Sequence, residues 1–227
     1  MKVDLFITED GSSSLRVPEL DETYHSSHGA IQESKHVFIG AGLVPLLNSK
    51  NPIRIFEVGF GTGLNAFLTL IEAQKSGVAV EYLGIEKYPV AEDLVSELNY
   101  PELLNEDGDA FLSLHNCQWN IRNQISPEFE IEKLKGSLLE FEEKKSVNLI
   151  YFDAFGPDKQ PEMWSLDILK KCYEMLEFGG IFVTYSAKGQ LKRDLKAIGF
   201  KVETLPGPPG KFQMTRAIKL PLENTES

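Results

Sequence analysis

The sequence has little cysteine, little positive charge and no long apolar run. Its 227 residues include two cysteines, Cys117 and Cys172, whose spacing matches no zinc or thioredoxin motif and is typical of a reducing compartment. The apolar stretches are too short to cross a bilayer as a helix. The first residues have no apolar core of the kind found in secretory signals. We therefore expect a cytoplasmic protein with no membrane partner.

Positive charge is scarce, with 23 Lys and Arg against 34 Asp and Glu and a net charge of −11. A chain with this average repels nucleic acid. The basic residues are concentrated between positions 186 and 219, where eight of them stand against Asp194 and Glu203. That segment carries +6 and leaves −17 for the rest of the chain. We therefore expect any contact with nucleic acid to be confined to one face and to depend on salt.

Short apolar runs alternate with amphipathic helical patterns along most of the chain. The predicted strands are Ile53–Val58, Val80–Glu86, Phe129–Lys135, Val147–Phe152 and Ile181–Tyr185, with a closing hairpin of Phe200–Thr204 and Gln213–Leu220. The predicted helices are Leu64–Lys75, Pro89 to about Leu98, Asp109–Ile121, Pro161–Leu176 (ended by Gly179 and Gly180) and Gln190–Ile198. This alternation predicts an α/β fold, with a parallel sheet covered by helices on both faces.

A glycine-rich loop, with Gly59, Gly61 and Gly63, follows the first of these strands and precedes a helix. Glycines at such a turn let the backbone approach a ligand closely. The spacing departs from the dinucleotide pattern G-x-G-x-x-G, which argues against NAD and favours S-adenosylmethionine. Glu86 ends the next strand, where a carboxylate can accept hydrogen bonds from both ribose hydroxyls. Glu57 either binds the cofactor's ammonium group or braces the loop, and a purely structural turn is the alternative to cofactor binding.

A second candidate position is the loop that follows strand Val147–Phe152, where Asp153 is placed beyond the carboxyl end of the sheet. A carboxylate there can orient an amine and take up charge that develops on nitrogen during methyl transfer. Phe155 and Trp164 can stack on a base or hold the methyl donor. The structural alternatives are that Asp153 caps a turn and that the aromatic residues belong to the core.

Taken together, the motifs resemble the methyltransferase domain of the bifunctional tRNA 5-methylaminomethyl-2-thiouridine biosynthesis (MnmC) family and its stand-alone relatives. The resemblance covers nearly the whole chain. The matching segments are Glu22–Ser26, Gly29–Ala30, Glu33–Phe38, Glu57–Asn65, Glu86–Pro89, Phe152–Pro157, Pro161–Trp164, Gly179–Gly180, Thr184–Ser186, Gly207, Gly210–Lys211 and Met214.

The resemblance implies a class I, Rossmann-like methyltransferase with a seven-stranded, mostly parallel sheet at residues 51–222, and an N-terminal cap over the site at residues 1–50. It implies methyl transfer from S-adenosylmethionine to the primary amine of 5-aminomethyl-(2-thio)uridine at the tRNA wobble position, with Asp153 as the catalytic residue. The predicted cofactor-binding residues are Glu57, Gly59, Gly61, Gly63, Asn65, Glu86, Lys87, Ser137 and Asp153. The predicted substrate-binding residues are Tyr24, Glu33, Phe155, Lys188, Lys192, Arg193 and Lys211.

The sequence departs from the family pattern in two places. A second glycine fingerprint is absent, so we expect no FAD or oxidase activity in this chain and a separate FAD-dependent oxidase acting upstream. Gly136 is followed by Ser137, where the family often has an aspartate, so that either the Ser137 hydroxyl or the backbone is left to meet the adenine amine.

Three histidines, His25, His28 and His36, are spaced so that a helix could pair two of them on a metal. Because no third ligand has a fitting spacing, we expect no metal and instead a pocket lined by residues 24–26. Two other functions stay open on the residues alone. One is methyl or aminopropyl transfer to a small amine, and the other is a non-catalytic cofactor-binding module. The sequence does not indicate which oligomeric state the protein adopts.

Overall fold

A mixed sheet with helices on both faces organises the computed structural model, which describes residues 2–142 and 145–221. The strands of this sheet are β4 (Ile53–Val58), β5 (Val80–Glu86), β6 (Arg122–Ser126), β7 (Phe129–Lys135), β8 (Val147–Phe152), β9 (Leu176–Thr184), β10 (Phe200–Pro206) and β11 (Gln213–Lys219). Within the described residues these eight strands have the order β10-β11-β9-β8-β4-β5-β7-β6. A separate small sheet contains β1 (Asp4–Ile7), β2 (Ser13–Val17) and β3 (Glu22–Thr23).

The expected parallel sheet is confirmed, because β7, β5, β4, β8 and β9 are neighbours that run parallel. The expected number of strands in this sheet is seven, whereas the described residues form eight. The additional strand is β6, which turns back at residues 126–129 and pairs antiparallel with β7. After β4 the chain builds β5 and β7 on one side, and later β8 and β9 on the other. This change of direction places the switch point, where ligands bind in such sheets, between β4 and β8.

The helices are α1 (Ala30–Ser34), α2 (Leu64–Ser76), α3 (Glu92–Ser96), α4 (Tyr100–Leu104), α5 (Gly108–Asn116), α6 (Leu166–Met175) and α7 (Gly189–Ile198). The helices predicted after Pro89 and Asp109 are therefore shorter than expected. A π-helix, Lys35–Leu43, continues α1, and single 3₁₀ turns occupy Val44–Leu46 and Pro161–Trp164.

The prediction of one helix at Pro161–Leu176, ended by Gly179 and Gly180, is wrong in two respects. Ser165 interrupts it, because its hydroxyl accepts a hydrogen bond from the Ile168 amide and caps α6. Gly179 and Gly180 do not end the helix but lie inside β9, where the register against β8 shifts. Gly179 has φ of 79°, a conformation that favours glycine. The glycines therefore form a bulge in a strand.

Each face of the sheet carries its own core, as the alternation along β8 requires. Leu149 and Tyr151 pack on one face with the π-helix residue Phe38, whereas Ile150 and Phe152 pack on the other with α6 and α7. All residues of β8 are buried, which is typical of a central parallel strand. In the described part of the chain we find no helix with the length and apolar character needed to cross a membrane.

The N-terminal segment packs on the same core as one face of the sheet. Leu15 and Val37 are fully buried in it. In the π-helix, a Cβ added at Gly42 would lie 3.1 Å from Val183, so that glycine lets the helix approach β9 closely. The division at residue 50 stays a prediction, and residue 222, the predicted end of the second segment, lies outside the described residues.

Candidate active site

The glycine loop turns sharply between β4 and α2, directly above the switch point. Gly59 has φ of 89° and Gly61 has φ of 51°, both in the left-handed region. A Cβ at Gly59 would lie 2.8 Å from the backbone oxygen of Asp153, and one at Gly61 would lie 3.0 Å from the Tyr24 ring. The loop is therefore packed between the loop after β8 and the N-terminal segment, and a side chain at either glycine would displace one of them.

Glu86 is fixed against this loop at the carboxyl end of β5. Its Oε2 accepts a hydrogen bond from the Gly61 amide at 3.0 Å, and its Oε1 accepts one from the Tyr88 amide at 2.7 Å. Burial raises the pKa of this carboxyl group. The amides hold both oxygens in place, so the carboxylate is oriented before any ligand arrives.

A cavity of about 790 Å³, which includes space open to solvent, lies beside Glu86. We call it the cofactor chamber. Its lining residues are Tyr24, His25, Val58–Thr62, Leu64, Asn65, Ile85–Tyr88, Gly136–Leu138, Asp153–Phe155, Gln160 and Met163. Every predicted cofactor residue except Glu57 and Gly63 is in this lining.

The wall below the chamber holds two carboxyl groups joined by one amide. Asn65 Nδ2 donates to Glu57 Oε1 and to Asp153 Oδ2, both at 2.9 Å. Glu57 is fully buried, and burial raises its pKa well above the usual range. The observed contact of Glu57 is with Asn65, which agrees with the bracing role. A direct contact of Glu57 with the cofactor stays a prediction.

Asp153 lies where two cavities meet. Burial is the main cause that raises the pKa of its carboxyl group to about 7, and nearby Glu33 adds to the rise. The hydrogen bond from Asn65 and the charge of Lys211 act in the opposite direction. Its carboxyl group is therefore poised to exchange a proton near neutral pH.

The second cavity, of about 800 Å³, is called the side chamber. Its lining residues are Glu22–His28, Glu33, Asp153–Phe155, Tyr185, Gly210 and Lys211. It shares Tyr24, His25 and Asp153–Phe155 with the cofactor chamber. Tyr24 and Phe155 meet edge to face there, with ring centroids 5.3 Å apart.

An ion pair crosses the side chamber from the N-terminal segment to the closing hairpin. The Lys211 ammonium donates to Glu33 Oε1, and Glu33 Oε2 accepts from the Ser26 amide at 2.7 Å. The same ammonium lies 4.1 Å from the centroid of the Tyr185 ring. Glu33 and Lys211, predicted as substrate residues, are thus brought together beside Asp153. Tyr185 also lines the side chamber but was not predicted as a site residue. Its position directly after β9 is a signal that could have identified it, because ligands bind beyond the carboxyl ends of such strands.

The three other predicted basic residues lie on the surface near α7 and line neither chamber. Lys188 pairs with Asp158, Lys192 donates to Gln213 at 3.1 Å, and Arg193 donates to Gln190 at 2.7 Å. All three contacts are exposed. The three residues thus form part of the expected basic face, and none of them lies beside Asp153.

Trp164 belongs to the core rather than to the ligand surface. It is buried, and its indole Nε1 donates to the Phe155 backbone oxygen at 2.8 Å. It thereby supports the loop that carries Asp153. For Trp164 the structure therefore shows the alternative in which the aromatic ring belongs to the core.

The histidines are placed apart from one another rather than on one helix. His25 is buried, with Nδ1 3.2 Å from the Ser14 hydroxyl, and burial lowers its pKa to about 4. His28 pairs with Glu9, and His36 Nε2 bonds to the Pro206 oxygen at 2.8 Å. Among residues 2–142 and 145–221 no group of three or more His, Cys, Asp or Glu is arranged to hold a metal ion.

Comparison with known proteins defines the class. Residues 114–220 match the family model described as S-adenosyl-L-methionine-dependent methyltransferase. With the sheet topology and the glycine loop, this match places the chain among the class I methyltransferases that use S-adenosylmethionine. Within that class it is similar to the methyltransferase portion of the MnmC proteins, as the following comparisons show.

The tRNA 5-methylaminomethyl-2-thiouridine biosynthesis bifunctional protein MnmC of Leptospira borgpetersenii serovar Hardjo-bovis (strain JB197) is 31% identical over 209 residues, which is 86% of this chain and 32% of that protein. The protein of the same name from Pseudoalteromonas atlantica is 30% identical, over 87% of this chain and 31% of its own length. The chain thus spans about a third of the length of these relatives.

Two solved structures are similar in fold. The crystal structure of MNMC2 from Aquifex aeolicus has a TM-score of 0.78 at 27% identity, and the match covers 97% of this chain and 72% of that one. Spermidine synthase from Thermotoga maritima has a TM-score of 0.54 at 14% identity, covering 96% and 72%. The second similarity concerns the fold alone.

The cofactor is S-adenosylmethionine, and the cofactor chamber fits it. Val58, Ile85 and Leu138 offer apolar walls to an adenine, and Glu86 offers a fixed carboxylate to ribose hydroxyls. Asn65 Oδ1 has no hydrogen-bond partner among the described residues and can accept from an ammonium group. Ser137 Oγ accepts a long hydrogen bond from the Leu139 amide at 3.3 Å, so its hydroxyl proton is still available. Whether it meets the adenine amine stays a prediction.

S-adenosylmethionine should therefore stabilise the folded protein. At a hundredfold excess over its Kd we expect the Tm to rise by roughly 5 °C or more. Differential scanning fluorimetry measures this rise, and NAD at the same concentration is the control that should give none. A Tm unchanged by millimolar S-adenosylmethionine would contradict the cofactor assignment.

Proposed function

We propose that this protein methylates the primary amine of 5-aminomethyl-(2-thio)uridine at the wobble position of tRNA, in the cytoplasm, with S-adenosylmethionine as methyl donor. One observation carries the proposal: the two chambers share Asp153, so that a donor in one and an amine in the other meet at a carboxyl group. The names of the relatives supply the nucleoside. The amine itself is expected from a separate FAD-dependent oxidase that acts earlier.

The proposed chemistry is an in-line displacement. The bound cofactor supplies a methyl group activated by a sulfonium. The amine nitrogen forms a bond to the methyl carbon while the carbon–sulfur bond breaks and its electron pair goes to sulfur. Asp153 accepts a hydrogen bond from the amine, orients its lone pair and takes the released proton. Its carboxyl group is suited to this role because its pKa of about 7 lies near the working pH.

Residues 1–50 are proposed to act as a cap that closes the reacting region. This segment contributes Tyr24 and His25 to both chambers and Glu33 to the side chamber. Burial raises the pKa of Tyr24 and lowers that of His25, so both stay uncharged at neutral pH. Glu22, Glu33 and Asp153 are then the acidic residues of the side chamber, and their oxygens can accept hydrogen bonds from the amine.

Methylation of tRNA is tested by mass spectrometry of nucleosides. The protein and S-adenosylmethionine are incubated with tRNA that carries 5-aminomethyluridine, and the digested tRNA is searched for a gain of one methyl group. Spermidine and putrescine serve as competing acceptors, since transfer to a small amine is the main alternative. Methylated small amines with unmodified tRNA would overturn the proposal.

The rate of methyl transfer should fall at low pH. Protonated Asp153 cannot accept the amine proton, so kcat/KM should decrease about tenfold per pH unit below about pH 7. Glu33→Gln removes a charge that raises this pKa, and the inflection should then move to lower pH. An inflection that Glu33→Gln leaves in place would assign the pH dependence to the amine rather than to Asp153.

Charge reversal on α7 should weaken tRNA binding. Lys192→Glu with Arg193→Glu should raise the Kd for tRNA about tenfold at low salt and reduce the salt dependence of binding. Lys75→Glu is the control, because Lys75 lies in the last turn of α2, at the end of this helix that is far from the glycine loop. Electrophoretic mobility shifts at two salt concentrations measure both effects. Equal affinities of the wild type and the α7 variant would remove this helix from the tRNA footprint.

A further inference from the structure

Phe212 presents an almost uncovered aromatic ring. It is 96% exposed, the most of any large apolar side chain in the described part of the chain. Phe178, also aromatic, is 50% exposed and is partly covered by Lys219. Single exposed apolar residues are common, so the exposure gains meaning only from the position of the ring.

Phe212 follows Lys211, which lines the side chamber. Its neighbour Lys211 sends an ammonium group into that chamber, where it meets Glu33. Consecutive Cα atoms are about 3.8 Å apart, so the backbone of Phe212 lies one residue from the chamber wall.

The turn that holds Phe212 is firmly anchored. The Gly207 amide donates to the Phe212 oxygen at 3.1 Å, and the Lys211 amide donates to the Pro208 oxygen at 2.9 Å. A Cβ at Gly210 would lie 1.9 Å from the His28 ring, so the turn is packed against the N-terminal segment. The ring is therefore held out by a rigid backbone, which lowers the entropic cost of binding.

A basic side chain contacts the residue that follows Phe212. Lys192 of α7 donates to Gln213, the residue that follows Phe212. The hairpin tip is thus joined to the helix that carries Lys192 and Arg193. An aromatic ring beside cationic side chains is the combination with which proteins bind single-stranded RNA.

We propose that Phe212 stacks on an unpaired base next to the nucleotide that enters the side chamber. This inference rests on the proposed function. A wobble uridine can place its aminomethyl group beside buried Asp153 only after leaving the anticodon stack, which exposes a face of the neighbouring base. The Phe212 ring covers that face and compensates for the lost stacking.

Binding of an anticodon stem-loop RNA tests the proposal. With S-adenosylhomocysteine present, Phe212→Ala and Phe212→Leu should each raise the Kd about tenfold, because stacking on an aromatic ring contributes about 1–3 kcal/mol per base. Phe212→Tyr should bind like the wild type. Phe178→Ala is the matched control, since it removes an exposed ring near the start of β9, at the opposite end of the strands from the turn that holds Phe212. Fluorescence anisotropy measures all five proteins.

A fluorescent base shows whether contact is direct. With 2-aminopurine beside the target nucleotide, binding of the wild type and of Phe212→Tyr should quench its emission, and binding of Phe212→Leu should not. Equal Kd and equal quenching for wild type and Phe212→Leu would overturn the stacking inference. Methylation of the same RNA by the wild type, with S-adenosylmethionine as donor, is measured in parallel. No methylation by the wild type would be a failure of the proposed function, which is distinguishable from a failure of the stacking inference.

Discussion

Replacing Asp153 by Asn should nearly abolish methyl transfer and leave the affinity for S-adenosylmethionine within a few-fold of the wild type. The oxygen of the new amide side chain can still accept the hydrogen bond from Asn65, so the geometry below the chamber is kept, but an amide cannot take the amine proton. Loss of a positioned proton acceptor costs about 10²- to 10⁴-fold in kcat. Single-turnover rates with radiolabelled cofactor and equilibrium dialysis measure the two quantities separately.

Asp158→Asn is the matched control for this variant. It changes the same residue type in the same loop, at an exposed position that pairs with Lys188, and should leave kcat unchanged. Near-normal turnover by Asp153→Asn would remove Asp153 from the catalytic role and return it to the structural alternative of a turn residue.

The same substitution should also stabilise the protein. Burial raises the pKa of Asp153 to about 7 in the folded state, above its ordinary value. The folded state therefore holds this proton more tightly, and the stability linked to it is lost as the pH rises through 7. Asp153→Asn removes that loss, so its gain in Tm should be larger at pH 8 than at pH 5. A gain that is equal at both values would contradict the raised pKa.

The second large effect concerns Glu86, whose replacement by Ala should raise the Kd for S-adenosylmethionine about a hundredfold. The carboxylate is the group predicted to accept hydrogen bonds from the ribose hydroxyls, and hydrogen bonds to a charged group contribute about 1.5–3 kcal/mol each. The Gly61 amide loses its acceptor as well, which loosens the loop that frames the chamber.

Isothermal titration calorimetry measures this Kd. Glu81→Ala is the control, because it removes a carboxylate from the other end of β5, away from the chamber. The turnover of Glu86→Ala at saturating cofactor should stay within about tenfold of the wild type, since Asp153 is untouched. A Kd equal to that of the wild type would mean that the ribose is held elsewhere.

Much of the frame that carries the site is predictable from the sequence, because it is encoded by neighbouring residues. The bounds of β4, β5, β7 and β8 follow from apolar runs that end at glycines or charges, and Gly59 and Glu86 fall at their ends for that reason. The error at Gly179 and Gly180 has the same origin. A glycine pair after a helical pattern usually ends a helix, and only pairing with β8 turns it into a bulge.

Contacts between distant segments are not encoded locally and were not predicted. Glu33 and Lys211 were named as substrate residues, but their ion pair joins α1 of the N-terminal segment to the closing hairpin, and this contact was not predicted. The bridge from Asn65 to Asp153 likewise depends on β4 and β8 being neighbours. The raised pKa of Asp153 follows from that assembly, since burial and Glu33 both contribute to it.

The central claim is that Asp153 lies between the methyl donor in the cofactor chamber and the amine in the side chamber. Its most direct test is a crystal structure of the protein with S-adenosylhomocysteine and an anticodon stem-loop RNA that carries 5-aminomethyluridine. The cofactor's sulfur should lie in the chamber beside Gly61 and Glu86, and the acceptor nitrogen should lie in the side chamber within hydrogen-bond distance of Asp153. An acceptor amine bound outside the side chamber, away from Asp153, would contradict it.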